Sequence, residues 1–155
     1  MSAYTIFLYL HSWLRWAVLL LALIVLFRAF RGWLGQKSFT KADNQSSVFF
    51  TASMHLQLLI GLILYFVFSP LGLAAFQDGM GAVMKNGGIR YYAVEHIFTM
   101  VLAVVLVQIG RTRAKKAKTD LLKHRNLAIF TLVGLLLVLI RIPWAESARL
   151  FRGLY

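Results

Sequence analysis

Leu19 through Phe27 contain no polar residue, and they form the centre of the first of four long apolar runs in a 155-residue chain. A helix that crosses a bilayer needs about 20 mostly apolar residues. The runs Tyr4–Ala29, Val48–Phe68, Tyr92–Ile109 and Asn126–Trp144 each meet or approach that requirement. Hydrophobic residues make up 60% of the chain, well above the ~45–50% of soluble domains. One soluble core of this size cannot bury that surplus. The pattern therefore predicts a single all-α membrane domain: a four-transmembrane, up-down-up-down helix bundle.

Punctuation between the runs supports this division. Ser46-Ser47 offers a cap for the second span, and Ser69-Pro70 ends it. Thr119-Asp120 marks a helix start ahead of the fourth apolar run, and Pro143 lies near the far end of that run. Trp13, Trp16, Trp33, Tyr91, Tyr92 and Trp144 fall mostly near span ends, as interfacial aromatic residues do. The connection Ser69–Arg90 is glycine-rich, with a short interfacial helix expected around Leu73–Met84. The N-terminus lacks a basic leader and a small-residue cleavage site, so the first span is expected to stay in the mature protein.

The net charge of +12 does not indicate a nucleic-acid partner, because the basic residues gather in short loops between apolar runs. Arg28, Arg31, Lys37 and Lys41 flank the first connection. Arg111, Arg113, Lys115, Lys116, Lys118, Lys123 and Arg125 crowd the third. The other side has Lys85 and Arg90 in its loop and Arg149 and Arg152 in the tail. By the positive-inside rule both basic loops are cytoplasmic and both termini periplasmic, in a bacterial inner membrane.

Each span carries one histidine, at His11, His55, His96 and His124. Ionisable residues inside a membrane are costly and usually functional. With spans alternating in direction, His11 and His96 fall in the outer half, and His55 and His124 in the inner half. Helices one and three, and two and four, are diagonal in such a bundle. Two pairs at two depths are what two bis-histidine haems need, and two axial histidines favour electron transfer over oxygen binding. Cysteine is absent, so any haem is held without covalent attachment. Small residues follow on the faces below His96 (Met100, Ala103) and His124 (Ala128, Thr131). His124 lies between Lys123 and Arg125, which leaves open its being one more residue of a solvated basic loop. In that case one haem remains.

Arg15 is one turn from His11, and Glu95 beside His96 is its expected partner, as a structural ion pair or a proton-handling group. Arg90 and Arg141 are candidates for haem carboxylates or for lipid headgroups. Gln57 and Gln108 are expected to make interhelical hydrogen bonds.

His11-Ser-Trp-Leu-Arg-Trp16, Tyr92-Ala-Val-Glu-His96 and Lys123-His-Arg125, set in four spans, resemble four-helix membrane cytochromes of the b561 type, and also small bacterial proteins of "cytochrome b" kind. The resemblance covers the whole chain. It implies two haems b with His11, His55, His96 and His124 as axial ligands, and electron transfer between a quinone pool and an outer partner. A quinone-linked oxidoreductase of superoxide or quinol type is one implied role. The haem-carrying membrane subunit of a larger redox complex is another. Two readings from other classes stand beside these: a haem-free membrane scaffold or assembly subunit binding lipid or an acidic partner, and a histidine-lined metal or proton pathway.

Overall fold

The computed structural model of the chain describes residues 1–152. Four helices are long and apolar enough to cross a membrane: α1 (Ala3–Leu34), α2 (Lys41–Phe68), α4 (Gly87–Lys116) and α5 (Asp120–Ile140). Between α2 and α4 lie a 3-10 turn at Leu73–Asp78 and the short helix α3 (Met80–Lys85), within the stretch expected to hold an interfacial helix. The four-residue helix α6 (Ser147–Leu150) follows α5. No strand occurs among the described residues.

Local chemistry sets the helix starts. Ser2 Oγ accepts the Thr5 N–H at the head of α1, and Thr119 does the same for Leu122 at the head of α5. Asn86 Oδ1 accepts from both Gly88 and Ile89 at the head of α4. Helix α2 begins earlier than expected. Its cap is Thr40, whose hydroxyl accepts from the Asp43 N–H while the Asp43 carboxylate accepts from the Thr40 N–H. This reciprocal box satisfies two otherwise free donors, so the polar stretch Lys41–Ser47 is helical and Ser46 and Ser47 lie inside the helix.

The core runs between all four long helices. Val18, Ala22, Val25 and Ala29 form one stripe on α1, facing Phe50 and Met54 of α2, Ala103, Val104 and Val107 of α4, and Ala128 and Leu135 of α5. Small residues bring α4 and α5 together: a Cβ at Gly134 would strike Val107, and one at Gly110 would strike Phe130. Ala103, Ala128 and Thr131 are thus used for close helix contact, as small residues commonly are in membranes. The principal packings are α1 with α2 and α5, and α4 with α5 and α2, the last being the least extensive.

Two sets of contacts tie opposite ends of these helices. At one, the basic end, the Phe39 N–H donates to Asp120, Arg28 pairs with Asp43 at 2.9 Å, and Arg111 reaches Asn44 and Ser47. At the other, Gln57 bonds to the His11 carbonyl, Tyr65 to the Ala93 carbonyl, and Tyr91 to the Arg141 carbonyl.

Candidate functional site

A cavity opens at the end where His11 and His96 lie. Counting its open mouth, it encloses about 1300 Å³. Apolar side chains such as Leu8, Met100, Val104 and Val138 line its depth, and Arg15, Arg141, Arg149 and Arg152 line its rim.

The two histidines face each other from helices that do not otherwise pack extensively. Their ring centroids are 6.3 Å apart and their planes are inclined by 65°. Each is positioned from behind. His96 Nδ1 lies 3.3 Å from the carbonyl of Arg141, the residue that caps the end of α5, a donor-to-carbonyl contact that leaves Nε2 free as a base. The helix around it is a wide π-type turn, Tyr91–His96, and a second such turn ends α2 at Leu64–Phe68. The Tyr65 hydroxyl joins the two by donating to Ala93 O at 3.0 Å. Such turns interrupt regular helix bonding and recur at functional sites. His11 rests on Gly61, where a Cβ would come within 3.1 Å of its Cε1. Its Nδ1 is sealed from solvent and has no hydrogen-bond partner among the described residues, as is true of Gln57 Oε1.

The arginines are placed differently from the sequence expectation. Arg15 does not pair with Glu95. It donates to the carbonyls of Leu150 at 2.8 Å and Arg149 at 3.2 Å, because the chain after Pro143 folds back over the start of α1. Trp16 Nε1 shares the Leu150 carbonyl, Trp13 Nε1 donates to Arg152 O, and Phe151 stacks on Trp16 with centroids 5.2 Å apart. Glu95 is held instead by Arg90 and Arg141, each at 2.8 Å. Both arginines named as candidates for haem carboxylates therefore share one protein carboxylate, although Arg141 also borders the cavity. Arg149 and Arg152, which the sequence placed on the same side as His11 and His96 without assigning them a role, complete its cationic rim. Gln57 makes the expected interhelical bond to the His11 carbonyl, whereas Gln108 bonds within its own helix to Thr112.

The second histidine pair does not assemble. His55 is exposed, with Nδ1 against the Thr51 carbonyl at 2.9 Å. His124 is 1% exposed, so it is no solvated loop residue. Its ring lies edge-on to Phe39 at 5.0 Å and against Gly32, where any Cβ would overlap it. Neither His124 nitrogen has a hydrogen-bond partner among the described residues. Depth separates the two as well. His55 is 14 residues into α2 and His124 four residues into α5, while the Phe39–Asp120 bond sets the two helix starts level. Ten residues of helix amount to about 15 Å. His55 lies near mid-helix, not at the level of His124.

Among the described residues there is no cluster of three or more His, Cys, Asp or Glu side chains that could hold a metal ion. A protein-only metal cage is thus not formed; a macrocycle that already supplies four nitrogens needs only two. No protein-family model, curated protein or solved structure matches this chain.

Proposed function

We propose that the chain is an integral membrane cytochrome of b type that holds one haem between His11 and His96 and exchanges electrons with a quinone pool. The observation that carries this reading is the 6.3 Å separation of the two rings. Metal–imidazole bonds are about 2 Å long and the ring centroid lies ~1 Å behind the nitrogen, so two axial rings on one iron have centroids ~6 Å apart. The rest of the donor set fits. Gly61 leaves open the space beside His11, and the unpartnered Nδ1 of His11 is a buried polar atom in want of a ligand or water. Arg15 and Arg152 border the mouth with positive charge suited to the two carboxylates of a haem, while Arg149 there is paired with Glu146.

When bound, a haem with both axial positions filled supplies one-electron transfer and not oxygen binding. The chain's own residues prepare that task. The Arg141 carbonyl fixes the His96 ring, a role usually met by a second shell behind a ligating histidine. The folded-back C-terminal segment, latched by Arg15, Trp13 and Trp16, narrows the mouth and limits water. Arg90 and Arg141 keep the Glu95 carboxylate occupied beside the site.

The same reading makes the four long helices an up-down-up-down transmembrane bundle. The cross-links at the two helix ends support alternating directions. The concentration of lysine and arginine at the basic end supports its being cytoplasmic, with both termini periplasmic in a bacterial inner membrane. The second haem expected at His55 and His124 is not carried forward, since those rings differ in depth and exposure. The test is an absorption spectrum of the detergent-purified full chain before and after dithionite. A Soret band and a sharp reduced α band, also produced by a quinol, support the reading. A chain that stays colourless after haem is supplied leaves the haem-free scaffold in its place.

A further inference from the structure

At the basic end, α4 carries a shallow recess lined by Gln108, Arg111, Thr112, Lys115 and Lys116. Its central cation is held in place. Arg111 Nη1 donates to Ser47 Oγ at 2.5 Å and to Asn44 Oδ1 at 3.3 Å, both on α2. These acceptors are uncharged and use only part of a guanidinium's five donors.

Charge accounting leaves these cations without a carboxylate partner among the described residues. The chain has five acidic residues. Asp43 pairs with Arg28, Glu95 with Arg90 and Arg141, Asp120 with Lys123, and Glu146 with Arg149. Asp78 ends the 3-10 turn of the connection at the opposite end. Among the described residues, no side-chain carboxylate is paired with Arg111, Lys115 or Lys116.

Toward mid-helix from the recess, the facing sides of α2 and α4 are apolar. Helices α2 and α4 pack least extensively of the neighbouring pairs. Val48 is one turn on from Asn44, Val105 and Val101 are one and two turns from Gln108, and all three are exposed. A fixed cation with spare donors, two flexible cations beside it and exposed valines of α2 and α4 below fit one amphipathic ligand. From this juxtaposition we infer that the Arg111 recess is a binding site for a single anionic phospholipid, its phosphate on Arg111 and Lys115 and an acyl chain along the α2–α4 seam. Basic pockets between membrane helices take such headgroups. A free phosphate ion would use the recess but leave the seam unfilled.

The inference rests on the membrane-crossing reading and not on haem. The full chain is purified in mild detergent, and bound lipid is counted by native mass spectrometry after incubation with equal phosphatidylglycerol and phosphatidylethanolamine. The expected result is one retained phosphatidylglycerol per chain, preferred over the zwitterionic lipid. Retention should fall about fivefold for each cation removed in Arg111→Gln and Arg111→Gln/Lys115→Gln. Lys115→Gln/Lys116→Gln leaves the Arg111 bonds to α2 intact, so it tests the site even where loss of Arg111 unfolds the chain; it too should lower retention severalfold. Equal retention of the two lipids, or retention unchanged in the lysine variant, overturns the inference. Displacement of the lipid by inorganic phosphate at low millimolar concentration reassigns the recess to a free ion and also overturns it. Failure of the membrane reading would be distinct: the chain would then partition into the aqueous phase without detergent.

Discussion

The two ends of the helix set treat a histidine in opposite ways. At the cavity end, His11 and His96 both line the cavity with their rings 6.3 Å apart, and Gly61 and the Arg141 carbonyl stand behind or beside them. At the basic end, the His124 ring fills its own space, pressed on Gly32 and Phe39. Glycine serves both, but differently. A Cβ at Gly61 would come within 3.1 Å of His11, a tight contact that a small shift relieves, whereas one at Gly32 would overlap the His124 ring, which therefore needs glycine to fit at all. On the proposed reading, a histidine lining a cavity with a cationic rim is open to a ligand, whereas one packed on glycine is part of the helix contact.

The sharpest way to break that contrast is through haem content. His11→Ala or His96→Ala should remove nearly all haem from the purified protein, while His55→Ala leaves it within about twofold of the parent, as expected for a residue outside the donor set. If His55→Ala abolished binding, the cavity would not be the site.

Next in size is packing. Gly32→Ala forces the buried His124 ring out of its place and should lower stability by about 1–3 kcal/mol, the usual cost of overpacking. Thermal unfolding in detergent reads it as a lowered Tm. Gly61→Ala meets the His11 ring at 3.1 Å (Cε1) and 3.6 Å (Nδ1), a milder clash, and should cost the fold less while lowering haem retention more. Equal effects of both substitutions on both readouts would erase the distinction between the two ends.

Smaller effects sharpen the account of the cavity rim. Arg15→Ala removes two charged hydrogen bonds to the C-terminal segment, each worth about 1.5–3 kcal/mol at most. Cleavage by trypsin at Arg149 should therefore rise about tenfold or more in rate while the four long helices stay intact by circular dichroism. The smallest change is at the helix start: Thr40→Ala breaks the box with Asp43 and should cost about 1 kcal/mol, visible as a small drop in Tm with no change in haem content.

Much of the architecture was legible because hydropathy alone marks spans: the four runs coincide with the four long helices, extended by polar turns at the ends. The His11–His96 encounter was legible from their shared distance from the same end. The placement of His55 was not. Hydropathy begins at Val48, but the helix begins at Lys41, since the Thr40–Asp43 box outweighs the polarity of the following two turns. That moves His55 to the middle of a 28-residue helix. His124, expected as the inner ligand with a solvated-loop position left open by its charged neighbours, is buried because helix geometry turns it toward α1 while Lys123 turns toward Asp120. The partner of Arg15 was hidden for a simpler reason: backbone carbonyls of a four-residue helix have no side-chain signature.

The most direct measurement is the haem-to-chain ratio by pyridine haemochrome on protein quantified by amino-acid analysis. The account predicts close to one haem b per chain in the parent and close to none in His96→Ala. Two haems per chain would contradict it by requiring His55 and His124 to ligate despite their separation in depth. No haem, after supplementation, would contradict its central claim outright.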